Sequence, residues 1–146
     1  MTTLTLFGRP AWLLAAAGFG LAWNAFGIVR FCATATSSEA GLAAMGMTPA
    51  QAALHAGLPA WMTLAFAAGV VGGFAGCALL LAGSRRAGPV LAGSLVAYAA
   101  LFAGDVVHGV FAAFGPAQVA IIAAALLIAI GLFCAATVSA RRSIYA

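Results

Sequence analysis

The chain has 146 residues, of which 66% are hydrophobic and only 5% charged, with a mean hydropathy of +1.17. So few polar side chains cannot coat a water-soluble core of this size, which excludes a soluble globular domain. The net charge of +4 comes from six arginines against two acidic residues. With no lysine, no basic stripe and no interleaved aromatic platform, it speaks against a nucleic-acid partner and for the lipid bilayer.

Inside a bilayer the backbone must satisfy its own hydrogen bonds, so spanning segments are helices or a closed barrel. Long apolar stretches without period-two alternation exclude the barrel. The expectation is an all-α polytopic membrane protein. Its single domain, residues 1–146, would hold four transmembrane helices in an antiparallel bundle. Each span has about the 20 residues needed to cross a hydrocarbon core of about 30 Å.

Span one is expected over about residues 11–31, just after Arg9 and Pro10. It carries Trp23, Asn24, Gly27 and Arg30. Residues 23, 27 and 30 share a helical face, with Asn24 turned aside, where it can bond a neighbouring helix. Arg30 lies late enough in the span to snorkel to the headgroups. Ala33-Thr34-Ala35 offers a small-x-small cleavage pattern, but the run is longer than a signal-peptide core and its loss would leave an odd number of crossings. The span is therefore expected to stay.

The only long connection covers residues 32–59. Ser37-Ser38-Glu39 can start a short helix, and Thr48-Pro49 is the stronger start, an N-cap residue followed by proline. One short helix over about 49–56, lying at the interface or over the bundle mouth, is the expectation. Gly57 and Pro59 end it, and Trp61 marks headgroup level at the start of span two, about 60–82.

Span two contains two overlapping GxxxG patterns, Gly69/Gly73 and Gly72/Gly76. Small residues four apart make a groove that another helix can enter closely. The groove suits either packing inside the bundle or docking of a homodimer or a membrane-protein partner.

Span three, about 89–114, carries Tyr98, Leu101, Asp105 and His108 on one stripe. An ionisable group within a span is costly unless it is paired, faces a wet cavity or works. A very short turn, Gly115-Pro116, leads to span four, about 117–140, so spans three and four are antiparallel neighbours. Arg9, Arg85, Arg86, Arg141 and Arg142 then fall on one side of the membrane and Arg30 towards the other. The positive-inside rule puts both termini and the 83–88 loop in the cytoplasm.

In that topology Asn24, Arg30, Asp105 and His108 lie at comparable depth in the outer half, with Tyr98 on the same stripe. An Arg30–Asp105 ion pair with His108 nearby is the simplest physical outcome. Two readings stay open: a structural pair that fixes register, or a polar site opening outwards and titrating through His108. Cys32, Cys77 and Cys134 are too widely spaced for CxxC chemistry. His55 lies on the loop helix, and with His108 it falls short of a metal or haem ligand set. No cofactor is expected. No P-loop, nucleophile elbow, HExxH or paired catalytic carboxylates occur, which speaks against an enzyme.

With the spans placed, the layout resembles a family of small four-helix bacterial inner-membrane proteins of unassigned function, some labelled sugar transporters. The residues that carry the resemblance are Trp23-Asn24 with Gly27, Pro59-Ala60-Trp61, and the run Ala65-Phe66-Ala67 through Gly72-Gly73 to Gly76-Cys77 and Leu79-Leu80-Leu81, with the arginines at 85–86. The resemblance implies a bacterial inner membrane and four spans, and transfers no catalytic residue.

Two functions are compatible with this layout. One is a non-catalytic accessory or assembly subunit of a larger membrane complex. The other is a small-solute or proton transporter or channel, in which an oligomer supplies what four helices lack. A quinone-binding or redox role for His108 and Tyr98 has less to motivate it. A water-filled cavity reaching Asp105 and His108 would favour transport; a sealed bundle with an exposed groove at Gly69–Gly76 would favour the subunit.

Overall fold

The computed structural model describes the backbone of residues 5–6 and 9–144 and the side chains of residues 10–141. The side chains of Arg9 and Arg142, which enter the orientation argument, lie outside the described residues. Thr5–Leu6 (β1) and Arg9–Pro10 (β2) form a two-residue antiparallel pairing, and the rest of the described chain is helices and turns.

The first span, α1 (Ala11–Ala35), follows Pro10, and α4 (Ala60–Leu81) follows Pro59 in the same way. The two prolines stand at the N-cap with φ of −60° and −59°. A proline there has no N–H to leave unpaired.

Two short helices lie between these spans, where one was expected, because both start signals in the loop are used. In α2 (Glu39–Ala44) the Ser38 hydroxyl accepts from the Gly41 N–H at 3.2 Å. In α3 (Pro49–Ala56) Thr48 and Gln51 form a capping box, each side chain accepting from the other's backbone N–H.

The third span departs from the expected 89–114. Helix α5 runs Ala87–Val107 and is capped by His108; Gly109, at φ 72°, then turns left-handed. A short α6 (Val110–Phe114) follows, Gly115 takes φ 76°, and α7 (Pro116–Ile144) begins. Residues 110–114 are as apolar as the span before them, so hydropathy does not register a break made by backbone conformation. Glycine adopts such positive φ values without steric cost.

Four of these helices are long and apolar enough to cross a membrane: α1, α4, α5, and α7 over Pro116–Arg141. Only 22–39% of each apolar window is buried within the protein. Phe26, Leu64, Val96, Val107 and Leu127 point outwards, and lipid must cover them. Helix α4 packs extensively on α1 and α5, α7 packs on α5, and the α1–α7 seam is much sparser. This ring order puts α1 and α5 diagonally opposite.

The core has three layers. Leu13, Cys77, Leu80, Leu91 and Leu132 fill the end near the Arg85-Arg86 turn. Val70, Tyr98, Ala125 and Ala129 fill the middle. Met62, Leu101, Val110 and Ile122 fill the end beneath the loop helices. There α3 is tied down by Gln51, whose Nε2 donates to the Ala113 carbonyl at 2.9 Å.

Candidate functional site

Polar side chains are scarce in the bundle interior, and most of them meet at one level. Asn24 on α1 is only 2% exposed. Its Nδ2 donates to the Gly20 carbonyl, one turn back, at 2.7 Å. The Tyr98 hydroxyl, from α5, donates to Asn24 Oδ1 at 3.0 Å. One turn before Tyr98, the Ser94 hydroxyl donates to the Gly69 carbonyl of α4 at 2.7 Å. Asn24, Tyr98 and Ser94 each find a partner within the protein, as a low-dielectric interior favours.

The glycines of α4 make this meeting possible. A Cβ at Gly73 would overlap the Asn24 carboxamide. One at Gly69 would press on the Tyr98 ring at 3.2 Å, and one at Gly72 on Ser94 at 3.3 Å. At Gly76 it would lie 2.6 Å from Leu91. All four GxxxG positions are thus covered by α1 or α5 of the same chain. The exposed groove considered for residues 69–76 is not present, because those small residues are spent on internal close packing. The hollow beside Asn24 and Tyr98, lined also by Trp23, Ser94, Leu91 and Ala129, is too small to admit a water.

The expected Arg30–Asp105 ion pair does not form among the described residues. Arg30 is exposed on α1, and Asp105 is only 3% exposed on α5. The two share a depth but not a seam, since α4 stands between their helices. Asp105 instead lies beside Gln118 of α7, and its Oδ2 has no hydrogen-bond partner. The five polar positions singled out in the sequence therefore divide. Asn24 and Tyr98 come together at mid-bundle, Asp105 lies near the loop end, Arg30 is outside, and His108 caps α5.

His108 is half-buried, with its ring centroid 6.2 Å from that of Trp61 at a tilt of 53°. Gly104 lets α4 approach here: a Cβ would lie 2.6 Å from Trp61. His55, on α3, is also half-buried, and burial pushes its pKa below the ordinary 6.5. Among the described residues no three His, Cys, Asp or Glu side chains converge to hold a metal ion.

Two contributors escaped the sequence reading. Ser94 lies one turn before Tyr98 on the stripe that continues to Leu101 and Asp105, so extending that stripe backwards would have found it. Gln118 is the only polar side chain in the first turn of α7, and the short Gly115-Pro116 turn places that turn beside the end of α5.

Fold and interior together define an integral membrane four-helix bundle whose polar groups chiefly hold helices to one another. Compared with known proteins, the chain matches no family model, no curated protein and no solved structure.

Proposed function

We propose that this protein is a non-catalytic membrane helix bundle acting as an accessory or assembly subunit of a larger complex. We place it in a bacterial inner membrane with both termini in the cytoplasm, in the small four-helix family that its sequence resembles. The observation that supports this reading is the closure of the polar interior on itself. Tyr98, Asn24 and Ser94 spend their hydrogen bonds on other helices, and the hollow beside them has no room for water. A solute path needs polar groups that face a wet cavity. A subunit needs only a stable bundle with an apolar surface for lateral contacts.

Affinity purification from native membranes in mild detergent tests the proposal. A stoichiometric membrane-protein partner is the expected result, and a chain that purifies only with itself contradicts it.

One feature favours the transport reading: the buried Asp105 carboxyl with Oδ2 unpartnered. If the chain purifies only as a homodimer, proton or solute flux in vesicles, abolished by Asp105→Asn, is what that reading requires.

A further inference from the structure

The seam between α1 and α7 is the loosest in the ring, and it opens into a groove of about 450 Å³. Trp12 and Phe19 of α1 line one wall; Ile128, Gly131 and Val138 of α7 line the other, with Leu132 at the floor. The helices are pinned where Leu132 meets Gly20, at a spacing that leaves a Cβ on Gly20 only 2.7 Å from Leu132. Small residues keep the gap open, and a Cβ on Gly131 would find nothing within 4 Å. From residue 128 to 138 the groove follows α7 for about 15 Å at the helical rise of 1.5 Å per residue.

Charge distinguishes this groove from ordinary lipid-facing surface. Arg141 is exposed one helical turn beyond Val138, on the same side of α7. In sequence, Arg9 precedes Trp12 by three residues and Arg142 follows Arg141. The exposed Arg85 and Arg86 occupy the α4–α5 turn at the same end of the bundle. An apolar slot that ends at headgroup level beside the exposed Arg141, at the arginine-bearing end of the bundle, suits a chain with an anionic head. We propose that the α1–α7 groove is a binding site for an anionic phospholipid, with one acyl chain in the groove and the phosphate at Arg141.

A second copy of this chain is a poorer occupant. Copies inserted with the same orientation would set the two arginine-rich ends side by side, where like charges repel. An anionic lipid neutralises that end instead, and each arginine near the surface contributes about a five-fold preference over a zwitterionic lipid.

The chain has three tryptophans, so a Trp23→Phe/Trp61→Phe background leaves Trp12 as the reporter at the groove. Reconstituted into phosphatidylcholine vesicles, it is titrated with brominated phosphatidylglycerol or with brominated phosphatidylcholine of the same chains. The expected result is quenching of Trp12 by the anionic lipid at several-fold lower mole fraction. Arg141→Gln/Arg142→Gln should bring the two curves together. Gly131→Phe, which fills the groove and leaves the arginines in place, should also remove the preference. Equal quenching by both lipids in the parent overturns the proposal, as does a preference that survives Gly131→Phe.

Mass analysis of lipid retained by the unaltered chain in mild detergent gives a second readout that needs no substitution. About one phosphatidylglycerol-class lipid per chain supports the site; none, or only zwitterionic lipid, overturns it. Quantitative Cys134–Cys134 cross-linking in the membrane, through the exposed cysteine beside the groove, also overturns it in favour of a second copy.

Discussion

The Tyr98 hydroxyl reaches Asn24 Oδ1 at 3.0 Å, bridging two helices that stand diagonally across the bundle. No other side-chain pair links α1 to α5 by a hydrogen bond among the described residues. Water does not compete for these groups, so the bond holds the diagonal at a fixed distance. Tyr98→Phe removes the donor and leaves a buried carboxamide oxygen without its partner. It should destabilise the bundle by about 1 kcal/mol, the range of inter-helix hydrogen bonds in membranes. Reversible unfolding in mixed detergent micelles measures this, and no loss would mean that the bond carries no stability.

Glycine substitutions within the spans should sort by what lies opposite. Gly73→Ala drives a methyl group into Asn24 and should cost about 1–3 kcal/mol, as overpacking does elsewhere. Gly93→Ala, where nothing lies within 4 Å, should be neutral or stabilising by up to about 1 kcal/mol through helix propensity. Thermal stability in one detergent compares the pair; equal losses at both positions would contradict the packing described.

A double-mutant cycle on Arg30→Gln and Asp105→Asn should show coupling within about 0.5 kcal/mol, because the two residues share no contact. A larger coupling would restore the ion pair that the sequence suggested. Gln118→Leu, in contrast, should couple to Asp105→Asn, since Gln118 lies beside that carboxyl.

How much of this was legible in the sequence depended on range. The four spans follow from composition, because a helix in lipid is apolar on every face and no partner has to be known. The start of α3 followed from Thr48-Pro49, a purely local signal. The end of α5 at His108 did not, because Gly109 breaks an apolar run that continues unchanged through Phe114. Asn24 and Tyr98 stood out as polar residues in apolar helices, yet their partnership depends on ring order, which no local pattern encodes. Shared depth suggested Arg30 with Asp105, and ring order separates them. The glycines of α4 were recognisable as a close-packing face, and only the fold decides whether that face turns inwards.

His55 gives the loop helices a pH dependence. Burial lowers its pKa from 6.5, so the folded protein binds this proton less readily than the unfolded chain does. Docking of α3 is therefore fully stable above about pH 6.5 and weakens as the pH falls from there towards the lowered folded value. Hydrogen exchange of the α3 amides should rise over that interval and the rise should vanish in His55→Gln. Exchange independent of pH, after correction for the intrinsic rate, would contradict this.

A polar interior that is a closed tie rather than a water path keeps solvent away from position 94, and a thiol placed there reads this out. Ser94→Cys, in a chain with Cys32, Cys77 and Cys134 replaced by serine or alanine, places a thiol beside the Tyr98–Asn24 bond with little change in volume. In sealed vesicles the residue-94 thiol should escape a water-soluble, membrane-impermeant thiol reagent added to either side, whereas in a control chain whose one cysteine is the exposed Cys32 the thiol should react when its side is treated. Reaction of the residue-94 thiol at a rate comparable to that at position 32 would contradict the closed tie.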